Sequence, residues 1–420
     1  MTGTSPRGGL TAFFAGRAGR WISTACAAVG AFAIVSSELA SSAVAADVQS
    51  KQWYLNAMDA EGMWEVSTGE DIKVAVLDSG VNPETPSLKG QVLVDDVPKA
   101  VSHGATNDYA GHGTTMAELI AGTGDAGGLR GLAPGAKIIP IQVDLKDNPD
   151  KKAPEVAAAI KAAADSNAQI INMSISSDII DPDVEKAIKY AQSKGKLMFA
   201  ATGNDAQTKN FIGYPAAFPY VVGVAATDKS GKVAEYSEHG NYVDLAAPGL
   251  NLPRWCDATF RSYCDEGGGG TSSATAITSA SAALIWSAHP DWTANQVLRT
   301  MIDTAGRTWA KGERSNYVGY GAVRPRKVLE NSDINPGSAA TDPLSFENGT
   351  GVTGVTASPS APASTSSQAP KNTSGGQTSA AGSISESSGN TTMWVALGAA
   401  GALLVIGGGA FVVIRSRRKA

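Results

Sequence analysis

Three short stretches set polar residues among small ones: residues 74–80 (VAVLDSG), 108–117 (DYAGHGTTMA) and 270–275 (GTSSAT). In chain order they offer a carboxylate, Asp78, an imidazole, His112, and a hydroxyl, Ser272. Those groups suit nucleophilic acyl transfer. A serine hydroxyl is a poor nucleophile until an imidazole takes its proton, and the imidazole needs a carboxylate on its other nitrogen to fix the tautomer and stabilise the cation. Gly111 and Gly113 leave space around the His112 ring. Ser272 follows the glycine run 267–270 and Thr271, and an uncharged, alanine-rich stretch then runs to Trp286, which reads as a buried helix. Glycines before a helix let backbone approach a ligand, and the helix start supplies unpaired N–H groups and a positive dipole end. The same position also suits a plain N-cap serine, and this stretch alone leaves both readings open.

The elements that must position these groups follow from hydrophobic pattern. Apolar runs over 72–77, 137–143, 169–173, 196–201 and 220–225 end in turn residues and read as buried parallel strands. Helical patterns over 112–121, 154–165 and 182–194 lie between them, and a further helix over 293–303 opens on Thr293 as its cap. Strand alternating with helix predicts an α/β, three-layer fold: a mainly parallel central sheet with helices on both faces. Asp78 then falls just past a strand's carboxyl end, where open parallel sheets place their sites.

All three stretches, in this order, resemble the signature segments of the subtilisin-like serine peptidases, or subtilases, and the resemblance runs over residues 52–329. It implies that Asp78, His112 and Ser272 form a catalytic triad. Residues 200–204 (AATGN) resemble the segment whose asparagine completes the oxyanion hole, so Asn204 takes that role; read alone, Gly203-Asn204 is also an ordinary turn. Residues 171–175 (INMSI) resemble the segment that pairs with extended substrate, which implies substrate binding at Ser174, Ile175 and Ser176. Two departures stand out: Ala276 replaces a proline usual in the helix behind the nucleophile, and Ser176 stands where glycine is common beside the primary specificity pocket. No HExxH and no GxSxG around Ser272 point to a zinc peptidase or an α/β-hydrolase. No cofactor is implied, and no metal: Asp95, Asp96, Asp144 and Asp147 read as exposed loop carboxylates.

The ends predict a membrane setting. Residues 1–45 read as a signal peptide with a basic leader and an Ala-Val-Ala cleavage pattern at 43–45, an uncleaved anchor being the alternative. Residues 46–330 are then the peptidase domain, and 331–392, rich in Ser, Thr, Pro and Gly, a disordered linker. Residues 393–414 are uncharged and almost wholly apolar, about 30 Å as a helix, and read as one transmembrane span. The basic tail 415–420 places the C-terminus in the cytoplasm and the domain outside. Cys256 and Cys264 are an even pair in an oxidising compartment and read as a disulfide, with two free thiols as the alternative. A net charge of −5 over 420 residues argues against nucleic-acid binding. Signal, peptidase domain, stalk and terminal span together resemble the mycosins, the membrane-anchored subtilases of actinobacterial type VII secretion systems. That resemblance implies a protein or peptide substrate, the membrane as anchor and a type VII membrane complex as partner. A scaffold role with secondary or lost proteolysis is the competing reading.

Overall fold

A computed structural model describes residues 48–346 apart from 147 and 266. The expected signal peptide, the linker beyond 346, the 393–414 span and the basic tail lie outside the described residues. Among those described, no helix is long and apolar enough to cross a membrane.

Six strands form one parallel sheet: β1 (Lys73–Asp78), β2 (Lys137–Gln142), β3 (Ile170–Met173), β4 (Leu197–Ala201), β5 (Val221–Thr227) and β6 (Leu245–Pro248). Their spatial order is β2-β1-β3-β4-β5-β6. After β2 the chain crosses to the other side of β1, so the order reverses at the β1/β3 boundary. The carboxyl ends of strands at such a reversal are where open sheets bind ligands. Five of the six strands coincide with the apolar runs to within a residue or two. The sixth, Leu-Ala-Ala-Pro, is too short and too poor in β-branched residues to announce itself.

Strand side chains alternate between two cores, as a period of two requires. Val74 and Val76 enter one apolar cluster, while Ala75 and Leu77 enter the other. The first cluster takes up helices α3 (His112–Ala121), α6 (Thr271–Ala288), α7 (Ala294–Thr304) and α8 (Pro325–Leu329). The second takes up α4 (Val156–Asp165) and α5 (Pro182–Ser193). This is the expected α/β arrangement, with helices on both faces of the sheet.

Helix α6 is the central one. Fifteen of its eighteen residues are buried, and it packs against β3, β4, β5 and β6 as well as α3. Small side chains allow that close approach. Three of its buried hydroxyls are satisfied one turn back, Thr275 donating to the Thr271 carbonyl, Thr278 to Ala274 and Ser281 to Ile277, each at 2.8 Å. Ala276 is fully buried within it, and the helix is unbroken from Thr271 to Ala288. Thr293 caps α7 in a reciprocal box with Gln296, as its sequence position predicts.

Ahead of the sheet, α1 (Trp53–Met58) and α2 (Ala60–Trp64) dock on the domain. The Trp53 indole donates to the Leu250 carbonyl, Gln52 to that of Arg130, and Trp64 to that of Leu132. The chain also stays packed past the expected domain end at 330. Leu344 is buried in the first core, and Gln296 and Asn295 hold the carbonyls of Gly337 and Ala339. The stretch 331–346, expected as the start of the linker, is therefore part of the packed domain.

Candidate active site

Asp78 is the last residue of β1 and wholly buried. Its Oδ1 accepts from the Ser79 N–H at 2.7 Å and faces His112 Nδ1 at 2.6 Å. Its Oδ2 is buried with no hydrogen-bond partner among the described residues. His112 opens α3, and 41 % of its side chain is exposed. One ring nitrogen is thus spent on the buried carboxylate, while the ring as a whole stays partly exposed.

Ser272 is the second residue of α6. Its main-chain N–H has no acceptor among the described residues, as expected at a helix start. Its hydroxyl donates to the Ser174 carbonyl at 3.0 Å and forms no hydrogen bond with His112 in this structure. Base catalysis requires the hydroxyl to leave Ser174 and turn to the imidazole; such bonds are often loose before substrate arrives. The packing of α3 against α6 brings the two helix starts to one side of the sheet.

Asn204 follows β4. Its Oδ1 accepts from both the N–H and the hydroxyl of Thr271 at 3.0 Å, which fixes the amide and leaves Nδ2 as the free donor. Replacing Asn204 by alanine is expected to lower kcat about a hundredfold to a thousandfold with little change in KM. Steady-state kinetics on a peptide substrate, with urea unfolding as a control for the lost Thr271 bonds, checks this.

Ser174, Ile175 and Ser176 follow β3, as expected, but they do different things. The Ser174 side chain is turned inward: it accepts from Asn172 Nδ2 at 2.9 Å and donates to the Ser272 carbonyl at 3.0 Å. Asn172 is held in turn by Ser279 of α6. Ser174 therefore braces the start of α6. Ile175 packs on the second core, and the Ser176 hydroxyl donates to the Thr202 carbonyl at 3.3 Å. Ile175 and Ser176 make no main-chain hydrogen bonds among the described residues. Ser177, one residue on, pairs with Tyr214 in both directions at 2.8 Å.

Burial alone pushes the His112 imidazole down. The Asp78 charge and hydrogen bond, helped by Asp108 and opposed by Arg254, more than reverse this, and its pKa is raised above the ordinary 6.5. A general base must be neutral, so activity present at high pH is lost as pH falls through that raised value. The acid limb of kcat/KM is expected above pH 6.5, and the Asp78→Asn variant is expected to move it down. A pH profile of both proteins checks it.

Asp108, Ser79 and a short hairpin carry no role in the sequence reading. Asp108, buried, accepts from the N–H groups of Ala110, Gly111 and Thr114 and from the hydroxyls of Ser79 and Thr114, at 2.6 to 3.0 Å. It pins the loop before α3 to the loop after β1. Ser79 completes the link by accepting from the Gly113 N–H at 3.0 Å. Gly113 has no room for a side chain, since a Cβ there would lie 2.1 Å from the Gly80 carbonyl oxygen. The third is a hairpin, β7 (Arg254–Trp255) with β8 (Tyr263–Cys264), beside His112. Cys256 and Cys264 are joined across it, and Trp255 N–H donates to Thr115 of α3. Of the loop carboxylates, Asp96 is paired with Lys73 at 2.6 Å. Among the described residues no group of three or more His, Cys, Asp or Glu is placed to hold a metal ion.

A model of the subtilase family, peptidase S8, matches residues 69–321. The chain belongs to the subtilase family. It is 30 % identical to thermitase of Thermoactinomyces vulgaris over 275 residues, 64 % of this chain and 95 % of thermitase. It is 32 % identical to subtilisin E of Bacillus subtilis over 241 residues, 57 % of this chain and 61 % of that protein. Among solved structures, it resembles the MycP3 protease from the type VII (ESX-3) secretion system, with TM-score 0.55, 29 % identity and coverage of 67 % of this chain and 88 % of that one. MycP1 from Mycobacterium smegmatis aligns with TM-score 0.56 and 26 % identity over 68 % of this subtilase and 86 % of MycP1. Family and relatives make this subtilase a serine endopeptidase.

Proposed function

We propose that this subtilase is an extracytoplasmic, membrane-anchored endopeptidase in which Asp78, His112 and Ser272 form the triad. The observation that supports it most is the 2.6 Å contact of His112 Nδ1 with buried Asp78, on a helix packed against the one whose second residue is Ser272. His112 Nε2 takes the Ser272 proton as Oγ attacks the peptide carbonyl. The oxyanion sits between Asn204 Nδ2 and the Ser272 N–H. His112 then protonates the leaving amine, and water, deprotonated by the same imidazole, frees the acyl group from Ser272. The peptide lies extended along Ile175 and Ser176, whose main-chain groups are unspent. Anchoring rests on the apolar, uncharged residues 393–414 followed by the basic tail 415–420, which leaves the domain outside and the tail in the cytoplasm. A role alongside a type VII membrane complex rests on the likeness to MycP1 and MycP3.

A second reading is a scaffold in such a complex, with proteolysis secondary. The Ser272 hydroxyl, resting on Ser174 instead of His112, favours it. Comparing secreted proteins from wild-type, Ser272→Ala and deletion cells separates the two. The proposal expects unprocessed substrates in both mutants, whereas a scaffold predicts a defect in the deletion alone. Retention of the full chain in carbonate-washed membranes, and its release when residues 393–420 are removed, tests the anchor.

A further inference from the structure

Next to Asn204, residues from three parts of the chain come close together. Two of those parts leave the carboxyl ends of neighbouring strands: Ser176 follows β3, and Thr202 and Gly203 follow β4. Two of the residues are glycines. A Cβ on Gly213 would lie 2.0 Å from the Thr202 carbonyl oxygen and 2.6 Å from Ser176 Oγ. A Cβ on Gly203 would lie 1.8 Å from Oε2 of Glu238 and 3.1 Å from Ser176 Oγ, so the carboxylate and the hydroxyl approach the same point. Glu238 is tied there by its main-chain N–H, which donates to the Gly203 carbonyl at 2.9 Å.

Glu238 is unusual among the buried residues. It is 3 % exposed, its Oε1 accepts one weak bond from the Phe211 N–H at 3.3 Å, and its Oε2 has no hydrogen-bond partner among the described residues. Among the described residues no ion pair involves it, nor Asp178 or Asp205, the two carboxylates whose charge it feels. Burial pushes the Glu238 carboxyl up to about 7; the Phe211 N–H pulls the other way, and Asp205 and Asp178 add to the rise. A carboxylate held at so little exposure is costly unless it is paired, and a cation at Oε2 would offset that cost.

We propose that Glu238 forms the floor of the primary specificity pocket and selects substrates with a cationic side chain, arginine or lysine, at the residue whose carbonyl is cleaved. This rests on the triad reading above, because the scissile carbonyl must sit at Asn204 for its side chain to enter behind Gly203. The residue on the acyl side of the cut is bonded directly to that carbonyl, so its side chain extends past Gly203 and Ser176 toward Oε2. A long unbranched cation fits a slot that the Ser176 hydroxyl narrows. Asp178 and Asp205 supply further negative potential to the same region, and the cation supplies the missing partner. The Ser176 hydroxyl and the Thr202 carbonyl are polar neighbours, which suits an ammonium or guanidinium better than an aromatic ring.

The test uses the full chain in detergent, a peptide library varied at that one residue, and a fluorophosphonate probe in parallel. The proposal expects kcat/KM for arginine or lysine to exceed that for leucine or phenylalanine by at least about tenfold. It expects Glu238→Gln, which keeps an acceptor for Phe211, to lower the arginine value about 10- to 100-fold and the leucine value little. A wild-type preference for apolar residues overturns it, with or without a folded variant. So does an equal loss on all substrates in Glu238→Gln, which marks a structural acid only. Labelling of Ser272 together with an apolar preference overturns this inference alone; absence of labelling in folded protein overturns the triad reading and this inference with it.

Discussion

Ser272→Ala is expected to lower kcat by about a millionfold, leaving only what the oxyanion donors and substrate binding supply. The reason is local. Among the described residues, Ser272 carries the hydroxyl that combines a first-turn position on α6, a free main-chain N–H beside it and the Asn204 amide across from it. Ser273, its neighbour, is buried on the helix and cannot substitute. Stability should change little, because the Ser272 hydroxyl makes one bond, to the Ser174 carbonyl, and that carbonyl sits at the cleft. Peptide hydrolysis with equilibrium unfolding of both proteins measures the two effects separately. A variant as active as wild type contradicts the assignment of the nucleophile.

Asp78→Asn is expected to lower kcat about ten-thousandfold while leaving the fold in place. Asp78 Oδ1 holds His112 Nδ1 at 2.6 Å, and an amide oxygen can keep that contact but not stabilise the imidazolium formed when Ser272 gives up its proton. An amide NH2 turned to the ring instead imposes the wrong tautomer. The same substitution removes the largest influence raising the His112 pKa, so the residual activity should persist to lower pH than in the wild type. Measured kcat across pH 5 to 9, on the order of that window, reads both effects. A loss below about tenfold argues that the Asp78 contact is structural only.

Much of this was legible in sequence because the signals were physical and local. Runs such as Val74–Leu77 are apolar on both faces because helices cover both faces of the sheet, and the structure buries all four residues. The Thr293 cap and its Gln296 partner are three residues apart and need no tertiary context. The residues that escaped act across distance. Asp108 reads as one more acid in a loop until the loop path brings Ser79 and Thr114 to it. The inward turn of the Ser174 hydroxyl onto Asn172, itself held by Ser279, is equally invisible in the sequence. Glu238 carries no signal at all in a stretch of ordinary polar residues; only the two glycines opposite, far off in sequence, give it a site. Strands of two residues, as in β7 and β8, leave no period to detect. At Ala276, where the family usually has a proline that bends this helix, α6 runs unbroken from Thr271 to Ala288.

In the proposed mechanism Asp78, His112 and Asn204 together make the Ser272 hydroxyl reactive. Fluorophosphonate labelling of the folded full chain, read out by peptide mapping, tests it most directly. A single adduct on Ser272 is expected, absent from Ser272→Ala and greatly slowed in His112→Ala and Asp78→Asn. An adduct on another serine, or none on protein shown to be folded, contradicts it.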